Sequence, residues 1–260
     1  MPLQPSAVYG PVHSRRLGNS LGINVLPLDA KFCLSNCIYC QYGASDVAAM
    51  QKSKIRPADE LLEEIEKSFK HISLGRTQID SITFSGNGEP TLHPEIDDLI
   101  QGVKKFRNRY FPVVPISILS DSSRVYLPEV RAALEELDEC YMKLDAGNPQ
   151  MYQQINRPLG NPDWVRMIES LSRMPHITIQ SLFISEPVNN ASVESVRDWL
   201  TVLERVRPSG LHIYTVSRDT ADPRVRAVSA QRLKEIAYRA CEAADLSVLD
   251  QESDTFVELI

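Results

Sequence analysis

Buried strands and amphipathic helices alternate along most of this sequence, and the alternation limits the possible folds more than any other feature. The segment 80–84 is a short apolar strand, and the segment 57–69 before it carries apolar residues at helical spacing, with Pro57 at its start. The same rhythm predicts further strands at 21–26, 115–120, 140–145, 176–184 and 211–216, and further helices at 94–105, 130–137, 164–172, 193–203 and 229–243. Repeated strand–helix units predict a mainly parallel sheet with helices outside it.

About six strands are too few for a closed eight-stranded barrel. We therefore predict an α/β fold, an open partial (β/α)6 barrel that forms a single domain over residues 1–260. Residues 1–20 do not follow the rhythm and are expected to be a short irregular or hairpin extension at the N-terminus. In open parallel sheets ligands bind at the carboxyl ends of the strands, so functional residues are expected there.

Composition and charge exclude several classes of protein. The 260 residues are 43% hydrophobic and 24% charged, close to the globular average, which argues against a disordered chain. No apolar run approaches the ~20 residues that span a bilayer, and the first residues lack the features of a secretion signal. We expect a cytoplasmic protein with no membrane partner. The net charge of −6 also weighs against a broad surface for binding phosphate groups.

Three of the five cysteines, Cys33, Cys37 and Cys40, follow the first predicted strand within eight residues. Three thiolates on one compact loop can bind three irons of a single [4Fe–4S] cluster and leave the fourth iron open. The other two, Cys140 and Cys241, fall on a predicted strand and a predicted helix, where small buried residues belong.

Two other uses of these thiols stay open. A structural zinc site requires four ligands, usually as two separated pairs, and the sequence has no second pair. A thioredoxin-like pair of Cys37 and Cys40 would leave Cys33 unexplained.

The spacing Cys-x3-Cys-x-aromatic-Cys, with Tyr39 as the aromatic residue, resembles the signature of the radical S-adenosylmethionine superfamily. The resemblance implies that the amino nitrogen and carboxylate of S-adenosylmethionine bind the open iron. It also implies that the reduced cluster cleaves the sulfonium to methionine and a 5′-deoxyadenosyl radical.

Within that superfamily, the stretches 9–18, 83–94, 143–146 and 155–158 resemble the iron–sulfur oxidoreductases that are grouped with the tRNA wyosine-base synthases. The synthases themselves carry a second cluster and an additional substrate-binding lysine. This sequence has no second cysteine triplet, which argues against wyosine chemistry.

A glycine-rich segment follows the strand 80–84. In Gly86-Asn87-Gly88-Glu89 the two glycines allow a ligand to approach the backbone closely. The resemblance implies that this loop, with the Glu89 carboxylate, holds the methionine amino group of the cofactor. Ser120 ends the following strand, where relatives line the nucleoside.

Polar residues also end the later strands. Because side chains alternate along a strand, Lys143 and Asp145 lie on the same face, one a cation for a carboxylate and the other an acceptor for ribose hydroxyls. Gln180 at the end of the fifth predicted strand, and Tyr214 and Arg218 at the end of the sixth, are candidates for contact with the substrate.

We therefore expect a radical S-adenosylmethionine iron–sulfur oxidoreductase that uses one [4Fe–4S] cluster to abstract hydrogen from a small molecule, a tRNA base or a partner protein. Such clusters work at potentials from about −700 mV upward, so a flavodoxin- or ferredoxin-type electron donor is the expected partner. The alternative is a non-catalytic single-cluster electron carrier or a metal-stabilised binding protein. Such a protein needs neither the glycine-rich loop nor polar strand ends.

Overall fold

In a computed structural model, strands and helices follow one another in the predicted order. The structure describes residues 1–14, 16–75, 77–218 and 220–246, and the backbone of 256–259. The strands in these residues are β1 (Val8–Ser14), β2 (Gly18–Ile23), β3 (Ser81–Phe84), β4 (Ile116–Ser120), β5 (Glu139–Lys143), β6 (Ile177–Glu186), β7 (Gly210–Thr215), β8 (Arg226–Ala227) and β9 (Phe256–Leu259). The helices are α1 (Val47–Lys52), α2 (Ala58–Ser73), α3 (Ile96–Tyr110), α4 (Pro128–Leu134), α5 (Pro149–Ile155), α6 (Trp164–Leu171), α7 (Val193–Val206) and α8 (Ala230–Ala244), and a 3-10 helix covers Pro90–Leu92.

The chain forms two compact units. The first unit comprises Met1–Cys33, Ser45–Ser120 and Leu127–Cys140, and the second comprises Leu34–Ala44, Asp121–Tyr126 and Tyr141–Ile260. The single domain over 1–260 stays a prediction.

In the first unit the N-terminal extension is a β-hairpin. Strand β1 pairs antiparallel with β2, which in turn runs parallel to β3, and β3 runs parallel to β4. The predicted strand 21–26 begins earlier than expected, at Gly18, because Gly18 and Asn19 pair with the end of β1. Helix α2 buries Leu61, Ile65 and Phe69 at intervals of four residues, and each such side chain contributes about 1.5–3 kcal/mol on burial.

In the second unit the register of neighbouring strands aligns the candidate side chains. Strand β6 runs parallel to β7, and β7 runs parallel to β9. Gln180 is the register partner of His212, and Leu182 that of Tyr214. The core beside this sheet contains Trp199 of α7, whose indole N–H donates to the carbonyl oxygen of Leu144 over 3.0 Å.

The predicted α/β class with a mainly parallel sheet is confirmed, since the antiparallel pairs named in the described residues involve only β1 with β2 and β8 with β6. Helix α1 has no buried residue and therefore no apolar periodicity to detect, so the sequence does not predict it. The two-residue strand β8 is likewise absent from the predicted elements. None of the helices in the described ranges has the length and hydropathy of a membrane span.

Candidate functional site

Residues 85–89, which we call the glycine-rich loop, are bonded to the residue that precedes Cys33. The Phe32 amide donates to the carbonyl oxygen of Asn87 over 2.7 Å, and the Glu89 amide donates to the carbonyl oxygen of Phe32 over 3.0 Å. Gly88 has a φ of 150°, and a Cβ at this position would lie 1.9 Å from the Phe32 oxygen. Close approach of two backbone segments therefore requires the glycine that the sequence singles out.

The same loop is anchored to the N-terminal segment through Asn87. This side chain is fully buried: its Nδ2 donates to the carbonyl oxygens of Gln4 (3.0 Å) and Pro27 (2.9 Å), and its Oδ1 accepts from the Gln4 amide (2.7 Å). At Gly86, with a φ of 119°, a Cβ would lie 2.7 Å from the Asn24 side-chain oxygen. The supporting roles of Gln4 and Asn24 carried no signal in the sequence, because both act from far away in the chain.

Glu89 and Ser120, both predicted site residues, are in contact. The buried Oε1 atom of Glu89 accepts from the Ser120 hydroxyl (2.9 Å), the Thr91 hydroxyl (2.6 Å) and the Thr91 amide (3.1 Å). Three donors offset much of the cost of burying a carboxylate. Thr91 is not among the predicted site residues; the available signal was Pro90, which is favoured at the first position of a helix and here follows the capping residue Glu89.

In the second unit, residues 34–44, which we call the cysteine loop, pair with the end of helix α5. The Asn36 amide donates to the carbonyl oxygen of Asn156 over 2.8 Å, and the Ile38 amide donates to that of Ile155 over 2.9 Å. This main-chain pairing places Asn156 beside Cys37. Its Nδ2 lies 3.3 Å from the Cys37 sulfur.

All five cysteines are free thiols. Cys33, in the first unit, is buried, and its carbonyl oxygen accepts from the Ser45 hydroxyl over 2.7 Å. In the cysteine loop a tight turn connects Cys37 and Cys40, since the Cys40 amide donates to the Cys37 oxygen over 2.9 Å. The remaining two, Cys140 and Cys241, are buried on β5 and α8, as the sequence predicts.

A buried carboxylate joins several predicted residues of the second unit. Asp145 accepts at Oδ2 from the Tyr39 hydroxyl and, over 2.8 Å, from Asn156 Nδ2, and its Oδ1 lies 3.1 Å from Lys143 Nζ. Lys143 is the last residue of β5 and Asp145 lies beyond the strand, and their charged groups are in contact. We call Cys37, Tyr39, Lys143, Asp145 and Asn156 the Asp145 network.

Lys143 is enclosed by aromatic rings. Its ammonium donates to the Tyr214 hydroxyl over 2.8 Å, and Nζ lies 4.8 Å and 5.0 Å from the ring centroids of Tyr39 and Tyr214. Burial opposes the charge, but Asp145 and then Tyr214 raise the pKa of Lys143 above its ordinary value, so the side chain stays protonated at neutral pH.

The pKa of Cys37 argues against the thioredoxin-like alternative. Burial, and next the charge of Asp145, raise the pKa of this thiol to about 11, although the Asn156 hydrogen bond acts in the opposite direction. A thiol that exchanges disulfides needs a lowered pKa. A metal, by contrast, displaces the thiol proton when it binds.

The three residues predicted to contact the substrate lie in different surroundings. Gln180 lies in the middle of β6 rather than at its end, because β6 extends to Glu186 where it pairs with β8. It is buried, with Nε2 3.2 Å from His212 Nδ1. Tyr214 lies near the end of β7 against Lys143, and Arg218 is exposed beyond that strand.

The model of the Radical SAM superfamily matches residues 29–200. The chain belongs to this superfamily, which uses a [4Fe–4S] cluster and S-adenosylmethionine and begins its reactions by reductive cleavage of that cofactor. The predicted superfamily and cofactors are confirmed.

A UPF0026 protein of Helicobacter pylori is 30% identical over 221 residues, which cover 84% of this chain and 68% of that protein. A protein of Brachyspira hyodysenteriae named GTPase Obg is 30% identical over 236 residues, 89% of this chain. The chain spans 33% of the length of the Brachyspira protein.

Two solved structures show the fold. The structure of TYW1 with a lysine-pyruvate adduct aligns with a TM-score of 0.66 at 17% identity and covers 90% of this chain and 78% of that one. SuiB of Streptococcus suis bound to S-adenosylmethionine aligns with a TM-score of 0.62 at 12% identity, covering 92% of this chain and 50% of that one. The open partial barrel that the sequence predicts is the fold of these enzymes.

The residues present fit the cofactors of the superfamily. In the described residues no three His, Cys, Asp or Glu side chains are grouped to hold a metal ion. A single ion needs its ligands around one point, whereas in a [4Fe–4S] cubane each thiolate binds a different iron. The free thiols supply the required donor chemistry, and Cys37 already accepts a hydrogen bond from an amide. Beside it, the buried Oδ1 atom of Asn156 has no partner in the described part of the chain and offers an acceptor to a ligand.

Proposed function

We propose that this protein is an oxidoreductase that holds a single [4Fe–4S] cluster with Cys33, Cys37 and Cys40 and abstracts a hydrogen atom from its substrate. The observation that carries the proposal is the pair of backbone hydrogen bonds between Phe32, which precedes Cys33, and the glycine-rich loop. An electron carrier needs no cofactor loop tied to its cysteines. A radical enzyme does, because it must hold cluster and cofactor in one relative position.

Each candidate residue has a role that follows from its charge and burial. The Glu89 carboxylate, supported by Ser120, attracts the amino group of the cofactor, while Gly86 and Gly88 leave room for its approach. Asn87 holds the loop between them in place. When bound and reduced, the cluster supplies the electron that cleaves S-adenosylmethionine.

The Asp145 network provides the other polar groups. Lys143 offers a permanent positive charge for a carboxylate, and Asp145 accepts from hydroxyl donors of the nucleoside. Tyr39 fixes the orientation of Asp145. We place the substrate beside β6 and β7, where Gln180, Tyr214 and Arg218 lie. Its class is a small molecule, a tRNA base or a partner protein.

The chemistry also implies a partner and a compartment. A cluster with a strongly negative potential requires a one-electron donor, for which a flavodoxin or a ferredoxin is suited. Free thiols at three closely spaced positions persist in a reducing compartment, which supports the cytoplasm as the place of action.

Two cysteine variants test the proposal. Cys37→Ala should lose the cluster and form no 5′-deoxyadenosine, because one iron loses its thiolate. The matched Cys140→Ala, which removes a buried thiol outside the cysteine loop, should keep both. Each protein is reconstituted anaerobically with iron and sulfide, reduced with dithionite and incubated with S-adenosylmethionine. Iron content and, by mass spectrometry, 5′-deoxyadenosine are then measured. Equal 5′-deoxyadenosine from the Cys37 variant would refute the assignment.

Electron paramagnetic resonance separates the enzyme from the alternative carrier. The signal of the reduced cluster should shift when S-adenosylmethionine is added. A cluster whose signal does not respond indicates a carrier.

The substrate class is tested with deuterated cell extract. Transfer of deuterium into 5′-deoxyadenosine is measured after the extract has been treated with ribonuclease, with protease or by filtration to small molecules. Ribonuclease should abolish transfer if the substrate is a tRNA base, and protease should abolish it if the substrate is a protein. Transfer that survives in the small-molecule filtrate indicates a small molecule. No transfer from untreated extract would contradict hydrogen abstraction.

A further inference from the structure

The main chain holds Asn156 beside Cys37. Asn156 follows the last residue of α5, and its amide donates to the carbonyl oxygen of Tyr152 over 2.8 Å. Its own carbonyl oxygen accepts from the Asn36 amide over 2.8 Å. Because backbone hydrogen bonds make both contacts, a change of the Asn156 side chain leaves them in place.

The orientation of the Asn156 side chain follows from its neighbours. Its Nδ2 faces three acceptors: Asp145 Oδ2 at 2.8 Å, Cys37 Sγ at 3.3 Å and the Tyr39 oxygen at 3.5 Å. Turning the amide by half a rotation would bring Oδ1 against the Asp145 carboxylate, which repels it. The N–H group is therefore directed towards the sulfur.

We propose that Asn156 is a positioning residue that raises the reduction potential of the cluster by donating a hydrogen bond to the Cys37 sulfur. The proposal rests on the proposed function, in which Cys37 is a ligand. One electron from the donor protein adds negative charge to the cluster and its sulfur ligands, and an N–H group directed at a sulfur stabilises that charge. Hydrogen bonds to sulfur are among the factors that set cluster potentials.

The surrounding charges explain why a neutral donor is needed at this position. The Asp145 carboxylate and the Cys37 sulfur both contact the Asn156 Nδ2 atom, over 2.8 and 3.3 Å, so the carboxylate lies near the sulfur and its negative charge disfavours electron uptake. Lys143 compensates part of that charge from the other side of Asp145, 3.1 Å from Oδ1. Asn156 lies between carboxylate and thiol and donates to both, so it separates the sulfur from the carboxylate.

Two substitutions remove the donor in different ways. Asn156→Leu keeps the branched shape of the side chain without its N–H groups, and Asn156→Ala leaves space in its place. In both, the constant for one-electron reduction should fall about fivefold, the effect of one net hydrogen bond. At about 59 mV for each tenfold change in a one-electron constant, a fivefold fall corresponds to about 41 mV.

Asn148→Leu is the matched control at the other end of α5. The Asn148 side chain accepts from the Met151 amide and donates to Asp198, each over 2.8 Å. This variant should weaken the helix without changing the potential. The midpoint potentials of the reconstituted parent and variants are measured by anaerobic redox titration with electron paramagnetic resonance detection, and iron content is measured in parallel.

The results separate this inference from the proposed function. A parent protein that holds no [4Fe–4S] cluster would overturn both. Where the parent holds one, an unchanged potential in both Asn156 variants would overturn the inference alone. Loss of iron from both Asn156 variants, with iron retained by the Asn148 variant, would also overturn the inference. Asn156 would then be needed to build the site rather than to tune its potential. A fall in both variants, absent from the control, supports the inference.

Discussion

Replacing Gly88 with alanine tests how far the candidate site depends on the contact between the glycine-rich loop and Phe32. The new Cβ would lie 1.9 Å from the Phe32 carbonyl oxygen and 2.4 Å from its carbon, both main-chain atoms that no side-chain rotation can move away. The two segments must separate, and the hydrogen bonds that Phe32 exchanges with Asn87 and Glu89 must lengthen or break.

The expected cost has two parts. Loss of two hydrogen bonds lowers the free energy of unfolding by about 1–3 kcal/mol. Holding alanine at a φ of 150° adds roughly 1–3 kcal/mol of backbone strain. Gly160→Ala is the matched control, since Gly160 has a φ of 87° and nothing lies within 4 Å of an added Cβ. The control therefore carries strain without the clash.

The assay compares thermal unfolding of the cluster-free parent and both variants under reducing conditions, followed by the iron content after reconstitution. Gly88→Ala should unfold at a temperature roughly 2–12 °C below that of Gly160→Ala, taking about 2–4 °C for each kcal/mol in a chain of this size. It should also retain less iron, because the segment leading into Cys33 is displaced. If Gly88→Ala is no less stable than Gly160→Ala and binds as much iron, the reasoning is refuted.

Two further predictions concern buried polar groups of the first unit. The Nδ1 atom of buried His93 accepts from the Glu95 amide, and its Nε2 lies 2.9 Å from the Arg56 backbone oxygen. Burial lowers the pKa of the ring below its ordinary value of 6.5, so the unfolded chain binds the proton at a higher pH than the folded chain does. The free energy of unfolding should therefore fall as the pH drops below 6.5. His93→Gln should reduce this fall in urea unfolding from about pH 7.5 to about pH 5.5, and identical slopes would contradict the prediction. Asn87→Ala should cost about 1–3 kcal/mol in the same assay at neutral pH, because the backbone groups of Gln4 lose buried partners; a smaller loss would show that water replaces the amide.

Local patterns in the sequence predicted the order of strands and helices. They also predicted candidate residues whose partners lie close by in the sequence. The apolar spacing of α2 and the short run of β3 report burial directly. A side chain faces the core every third or fourth residue in a helix that is buried on one face, whereas a strand that is buried on both faces is a short run without alternation. The alternation of side chains along a strand placed Lys143 and Asp145 on one face, and their charged groups are in contact.

Other parts of the fold depend on contacts that a local pattern does not record. Gln180 was expected at the end of a strand, but β6 pairs with β7 as far as Phe183 and with β8 beyond it. The helix α1 buries nothing, so its turns left no periodic signal.

By itself, the sequence determined the fold class, the superfamily and the cofactors, because periodicity and the spacing of Cys33, Cys37 and Cys40 are properties of short stretches of chain. Only the tertiary structure decided which polar groups hold the candidate site residues in place. Asn156 reaches the Cys37 sulfur across 119 residues of sequence, and Gln4 reaches Asn87 across 83. Such pairs form when the chain folds back on itself, and the physical reason for their hydrogen bonds is the burial of polar groups that then lack water.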